Sequence, residues 1–437
     1  MRITHLANSF LRIETPDATL VCDPWVGVAN HGGWRSFPDY DPASLIAFVA
    51  DADFVYISHI HSDHFDPRFL VDSGLIHKSI VIKRFETPTL KRRLEGLGAT
   101  AILELEPWTR TRLADRLEVA IIPALQVSNS ASLGGIDYDL DTSLVVSDGA
   151  ATFFNQVDTP MSLDHFRQVK DFISDQFGPL EAAAAVCGAA SEYPQCFLNI
   201  DREGRQQVII DRSLERLKAS LAVLDPKVAF LAGGTYLIPG RNAHLNRMIA
   251  QPSFAQAAAA LDGQTPLLDL EGGWAITLSA DGAEIEPERA LSPLAASMAA
   301  AIERHARDLY PHEAEPLPDQ GQVIQRFERA QAAYLARLAQ QDLDLNACID
   351  FRLYSELTEA RARAGDRDLD LHLGPRSQFD AAEHHVIHID IRAFDNCLTR
   401  RQSWNQTLSG SLCLFERTPD VHTPDVLFSL NHLVAPT

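Results

Sequence analysis

The stretch Asp53-Phe54-Val55-Tyr56-Ile57-Ser58-His59-Ile60-His61-Ser62-Asp63-His64 decides the reading of this chain. An apolar, β-branched run leads straight into H-x-H-x-D-H. Three imidazoles and a carboxylate crowd into six residues at a strand end, where burying them without a partner is costly. His59 and His61 alternate, so in an extended segment both point to one side. Asp63 and His64 follow in a turn and can face a second ion close to the first. Imidazole and carboxylate are the common ligands of zinc and of first-row iron and manganese.

Around this stretch, residues 1–160 alternate short β-like runs with turns, among them Val119 to Ile122 and Leu144 to Val146. Helical spacing appears at Leu163 to Ser174 and at Arg212 to Leu224, before an Asp225-Pro226 stop. Strands are expected at Val228 to Leu231 and Trp274 to Leu278. The polar stretch Glu284–Pro293 reads as a linker, giving a domain over 1–285 and a second over 286–437. The second part shows helical patterns at Leu294 to Tyr310 and Gly321 to Gln341. Strand-like runs follow at Cys348 to Leu353, Leu369 to Leu373, His385 to Ile391 and Gly410 to Phe415. The expected class is therefore α/β followed by a smaller α+β domain. In the C-terminal histidine cluster, His385 and His388 alternate to opposite faces, which speaks against a metal site there.

The metal motif resembles the signature of the metallo-β-lactamase superfamily. Cys22-Asp23-Pro24-Trp25, Asp141 to Val146, Asn155-Gln156-Val157-Asp158, Cys187 to Ser191 with Tyr193-Pro194, and Phe428 to His432 are similar to one branch of it. That branch contains the hydroxylase of CMP-linked N-acetylneuraminic acid. The resemblance implies an αββα sandwich of two mixed sheets with metals at the strand ends. It implies His59 and His61 on a first metal, Asp63 and His64 on a second, Asp158 as bridging carboxylate, and His244 as the final histidine. Asp23 would hydrogen-bond a ligand histidine, and His31-Gly32-Gly33-Trp34 would wall the site. One position departs from the superfamily. Counting back from Asp141-Thr142, the third first-metal histidine falls on Asp137, with Asp139, Asn129 or water as alternatives. A carboxylate there would favour iron or manganese over zinc.

Two classes of function follow. A pair of iron ions would serve an oxygenase that hydroxylates or N-oxygenates a small organic substrate; zinc has no second oxidation state for this. A pair of zinc or manganese ions would serve a hydrolase of an ester, amide or phosphodiester. The departure at Asp137 and the branch resemblance tilt the expectation to the oxygenase. The branch carries a Rieske iron–sulfur domain, which needs two Cys and two His. No C-x-H and C-x-x-H pair occurs in this sequence, so an oxygenase would take its electrons from a separate reductase or ferredoxin, or from the substrate.

Composition bounds the partners. The 437 residues carry 38 Lys+Arg against 59 Asp+Glu, a formal net charge of −21, with 46% hydrophobic residues. Such an acidic balance disfavours nucleic acid and anionic membranes as partners. No apolar run approaches a membrane span, the start lacks a secretory signal pattern, and the six cysteines are scattered. A small-molecule substrate and a cytoplasmic location are expected.

Overall fold

The computed structural model describes residues 1–125, 140–188, 190–279, 282–343, 345–374, 381–421 and 423–436. Eight strands form the first sheet, in the order Gly282–Ile285, Trp274–Ser279, Arg2–Ala7, Phe10–Glu14, Thr19–Cys22, Phe54–Tyr56, Ser79–Lys83 and Ile102–Leu105. Seven form the second: Leu267–Leu268, Val228–Leu231, Ala182–Ala185, Thr152–Asn155, Thr142–Ser147, Leu117–Pro123 and Thr111–Ala114. Both sheets are mixed, with antiparallel hairpins at one end and parallel crossovers at the other.

Alternation along the strands explains the layers. Ile3, Leu11, Ile13 and Leu20 of the first sheet meet Val119, Ile121, Leu144 and Phe153 of the second in one buried cluster. The residues between them in sequence point outward and take helices. Val21, Val55, Ile80 and Ile82 pack with Leu45, Phe69, Leu70, Leu90 and Leu94 of three short helices. On the other side Val145 and Phe154 meet Phe166, Val169 and Ile173 of helix Leu163–Gln176. Ala183, Ala185 and Ala229 meet Leu217 and Leu221 of helix Arg202–Leu224. The order of layers is helix, sheet, sheet, helix.

Helix Arg202–Leu224 begins ten residues before the start expected from apolar spacing, because the Asp201 carboxylate caps it by accepting from Gly204 N at 3.0 Å. It ends as expected at Asp225, which adopts a left-handed φ of 54°. The pattern over Leu294 to Tyr310 yields a shorter helix, Met298–His305, started by the Ser297 cap. The final strand runs over Leu414–Thr418 rather than from Gly410.

A third sheet joins Tyr236–Leu237, Trp34–Ser36 and Val28–Ala29, and a fourth has the order Leu369–Leu373, Ala347–Tyr354, Glu383–Asp390, Leu414–Thr418. Ile349, Phe351, Leu353, Ile387 and Ile389 of the fourth sheet are buried with Phe327 and Tyr334 of helix Gln320–Gln340. The same cluster takes in Trp25, Trp34, Phe197 and Tyr236. Phe197 stacks on Phe415 at 5.1 Å, and Trp34 on Tyr236 at 4.0 Å. Among the described residues, no helix is long and apolar enough to cross a membrane.

Candidate metal centre

Strand Phe54–Tyr56 is an interior strand of the first sheet, paired in parallel with strands on both sides. Its chain leaves the sheet at Ile57, and the His59–His64 turn emerges at that strand end, closed by His64 N and Phe65 N donating to His61 O. The second sheet delivers its residues to the same place. Thr142 Oγ1 donates to Ser58 O at 2.7 Å and lies 2.6 Å from Tyr56 Oη, tying the start of strand Thr142–Ser147 to the turn. Asp158 follows strand Thr152–Asn155 across Val157, a β-branched residue held at a φ of +59°. Such a backbone is strained for valine. Asn155 Oδ1 steadies it by accepting from Val157 N at 3.2 Å, and Gly233 leaves room for Val157 O where a Cβ would sit 2.8 Å away.

Two groups of donor atoms result, His59 with His61 and Asp141, and His59 with His64 and Asp158. His59 Nε2 lies 2.8 Å from His61 Nδ1 and 3.3 Å from Asp141 Oδ1. His64 Nε2 lies 3.2 Å from Asp158 Oδ2 and 3.6 Å from Asp63 Oδ2. His59 and His64 are fully buried.

The hydrogen bonds behind these groups fix which nitrogen faces inward. Asp23, buried and with a φ of 41°, accepts from Ser58 N at 2.7 Å and from Ser58 Oγ at 2.7 Å. It also accepts from His64 Nδ1 at 3.0 Å. Ser58 Oγ, its proton given to Asp23, accepts from His59 Nδ1 at 3.0 Å. Both imidazoles therefore carry a proton on Nδ1 and turn Nε2 toward carboxylates, His59 with a bare lone pair and His64 as the cation paired with Asp158 until a metal replaces its second proton. The His59 lone pair, 3.3 Å from Asp141 Oδ1, is repelled unless a cation lies between them. His64 Nε2 and Asp158 Oδ1 are buried without a hydrogen-bond partner. These donors fit metal ions, and Asp23, behind His64 directly and behind His59 through the Ser58 hydroxyl, is the arrangement that orients metal-ligating imidazoles.

The field at the site is uneven. Burial opposes charge on His64, but Asp158 and Asp63 outweigh it and hold its pKa well above the usual imidazole value. Burial and the neighbouring His64 push His59 well below that value. Asp158, despite burial, is held below the usual carboxylate range by His64 and His59.

Of the residues expected from sequence, His59, His61, His64 and Asp158 come together, with Asp63 beside His64. Asp137, Asp139 and Asn129 lie outside the described residues. Asp141 stands beside His59 and His61, where the third ligand was sought four residues earlier. Its place is set by the sheet edge, since Ala124 N donates to Asp141 O at 3.0 Å. His244 is a correction. It sits in the 3-10 segment Gly240–Met248, and its Nε2 is 3.0 Å from Glu359 Oε2, with 42% of the side chain exposed. That segment is drawn to the C-terminal part by Asn242 Nδ2, which donates to Ser411 O, and by the Arg241–Glu313 ion pair.

No family model matches the chain. It is 30% identical over 201 residues, 45% of its length, to a Mycolicibacterium smegmatis protein named as a Rieske 2Fe-2S iron-sulfur protein. The match is 36% of that relative, so the chain spans about a third of its length. It is 37% identical over 65 residues to the cytidine monophosphate-N-acetylneuraminic acid hydroxylase of Asterias rubens, 15% of this chain and 10% of the hydroxylase. Among solved structures, the diiron β-hydroxylase CmlA from Streptomyces venezuelae aligns with a TM-score of 0.40 at 15% identity, over 64% of this chain and 54% of that one. An isothiocyanate hydrolase from Delia radicum gut bacteria aligns with a TM-score of 0.44 at 15% identity, over 64% of this chain and 100% of that one. The helix–sheet–sheet–helix layering, with H-x-H-x-D-H leaving an interior strand, decides the architecture. It is the αββα sandwich that the resemblance to the metallo-β-lactamase superfamily implied.

The fold explains why sequence-distant donors meet. Both facing sheets end at one rim, where the His59–His64 turn meets the segments at Asp141 and Asp158. Asn30, just ahead of His31–Trp34, borders the turn: Asn30 N donates to Ser62 Oγ and Ser62 Oγ to Asn30 Oδ1, each at 2.9 Å.

Proposed function

We propose that this protein is a dinuclear iron oxygenase acting on a small organic anion. In this reading residues 1–285 form the metal-bearing unit. One ion is held by His59, His61 and Asp141, the other by His64 and Asp158, with Asp63 at its edge. His59 stands between the two. The observation that carries the reading is the donor set: three imidazoles and two carboxylates with no thiolate, of which His59, His61 and Asp141 give one ion two imidazoles and one carboxylate. Two histidines and one carboxylate with open positions is the arrangement of non-haem iron oxygenases. When bound, iron supplies activation of dioxygen, whereas zinc or manganese in the same donors would supply a water of lowered pKa for hydrolysis.

The chain's own residues supply position and exclusion. A cavity of about 340 Å³ opens beside Asp158, of a size for a small ligand. Phe166, Val186 and Leu217 give it an apolar wall, and Gln156, Thr159 and Ser213 give it hydrogen-bonding groups. Arg212 and Arg216, one turn apart on helix Arg202–Leu224, line the same cavity and suit a carboxylate or phosphate on the substrate. Electrons come, in this reading, from a separate iron–sulfur protein. The similarity to a relative named for a Rieske centre supports that assignment.

The test is metal content and Mössbauer spectra of anaerobically purified protein. Two irons per chain that oxidise with dioxygen support the reading. Two zincs with oxygen-independent ester or phosphodiester turnover overturn it in favour of the hydrolase. Asp141→Ala is expected to lose metal without unfolding.

A further inference from the structure

The fourth sheet carries a second cluster of metal-type residues, far in sequence from the dinuclear centre. Its core face is Ile349, Phe351, Leu353, Ile387 and Ile389. Alternation puts Cys348 and Asp350 on the opposite face of strand Ala347–Tyr354. The ladder sets His372 directly across from Asp350 and His384 directly across from Cys348. Asp350 Oδ1 lies 2.8 Å from His372 Nδ1, and Cys348 Sγ lies 3.8 Å from the same nitrogen. The other carboxylate oxygen, Oδ2, lies 2.7 Å from His384 Nε2. The cluster's histidine is thus His384, which shares a face with Asp350, and not His385 or His388.

Hydrogen bonding among these residues leaves the Cys348 thiol as the spare member. His372 Nδ1 can donate to Asp350 or accept from the Cys348 thiol, but not both. Donating leaves the buried thiol proton without that acceptor. Accepting sets a nitrogen lone pair 2.8 Å from a carboxylate oxygen. A cation among the three atoms removes the conflict. Tetrahedral zinc holds a sulfur and a nitrogen ligand about 3.6 Å apart, and a nitrogen and an oxygen about 3.3 Å apart. The observed 3.8 and 2.8 Å come within rotamer adjustment of both. Thiolate and carboxylate together would neutralise a divalent ion. The nearby Arg352 is already paired with Glu416 at 3.1 Å.

We propose that Cys348, Asp350 and His372 form a mononuclear site for a thiophilic divalent ion, zinc above all, on the outer face of the C-terminal sheet. His384 clamps the second carboxylate oxygen of Asp350. Three ligands from two paired strands leave the fourth position to solvent or to an external donor. The sulfur ligand sets this site apart from the dinuclear centre, whose donors are nitrogen and oxygen only. The two can be read separately.

The experiment titrates the full-length chain with cobalt and follows the near-ultraviolet thiolate-to-cobalt band and the metal retained after desalting. Wild type is expected to show the band and to retain one ion more than Cys348→Ser or His372→Gln. Asp158→Ala should keep the band while losing metal from the dinuclear centre. A wild-type protein without the band, a band that survives Cys348→Ser, or an ion lost on desalting overturns the proposal. Should Cys348→Ser fail to fold, the exposed His372→Gln decides: affinity at least tenfold weaker supports the site, and unchanged affinity overturns it.

Discussion

Replacing Asp23 by asparagine should weaken metal binding at the dinuclear centre while leaving the fold standing. The carboxylate has no donor of its own, so it accepts from His64 Nδ1 and from the Ser58 hydroxyl, which in turn accepts from His59 Nδ1. An amide in its place keeps one oxygen for Ser58 N but presents an NH₂ group to the other two partners. The Ser58 hydroxyl then reverses and donates to His59 Nδ1, and His64 Nδ1 must likewise become an acceptor. Each ring moves its proton to Nε2, the atom that faces Asp141 or Asp158. Loss of such a supporting partner weakens metal binding about 10–100-fold, or roughly 1.4–2.7 kcal/mol per ion. Both ions are affected, because His59 belongs to both groups. Exchange of a buried charge for an isosteric amide should move apo stability by no more than about 1 kcal/mol. Competition against a chromophoric chelator reads the affinity, and urea unfolding of the apo protein reads the stability. A folded Asp23→Asn variant that binds both ions within about threefold of wild type would refute the argument from tautomers.

Other outcomes follow from packing and burial. A Cβ on Gly33 would lie 1.8 Å from Gly410 O, so Gly33→Ala should cost about 2–3 kcal/mol in urea unfolding. The control Gly96→Ala, at a helix end with open space around it, should gain about 0.5 kcal/mol. Burial pushes His5 down to about 4, so it is neutral in the fold while the unfolded chain takes a proton near 6.5. Stability is then lost as pH falls from 6.5 toward 4, by roughly 3 kcal/mol from this residue. Unfolding measured across that window should flatten in His5→Leu, and an unchanged slope would exclude His5 as a source.

What was legible in the sequence was local. The apolar run into H-x-H-x-D-H gave a strand end bearing donors, and an apolar strand before Asp158 gave a second. The strands Val228–Leu231 and Leu369–Leu373 stand where alternation and turn residues set them. Asp141 escaped because Asp137 and Asp139 precede it closely, and only the pairing of Pro123 with Thr142 brings Asp141 to His59. His244 misled because a glycine turn followed by histidine is a short-range signal. Its partner Glu359 lies 115 residues away, on a helix no local pattern connects to it. The start of helix Arg202–Leu224 was readable from its Asp201 cap, but its first turns are polar and mask the apolar period. The cluster at Cys348 was hidden for the opposite reason: its residues are neighbours only across the ladder.

The contact of Gly33 with Gly410 also bears on the order of events during synthesis. All the donors assigned to the dinuclear centre lie within the first 158 residues, yet the segment bordering them, Asn30 to Trp34, is packed from outside by residues near the C-terminus. Domains emerge from the ribosome N-terminal end first, at about 5–20 residues per second. The donors therefore exist for many seconds before their outer support can dock. In that interval the nascent chain offers metal ions a looser set of ligands than the finished protein, and the metal first encountered need not be the one finally kept.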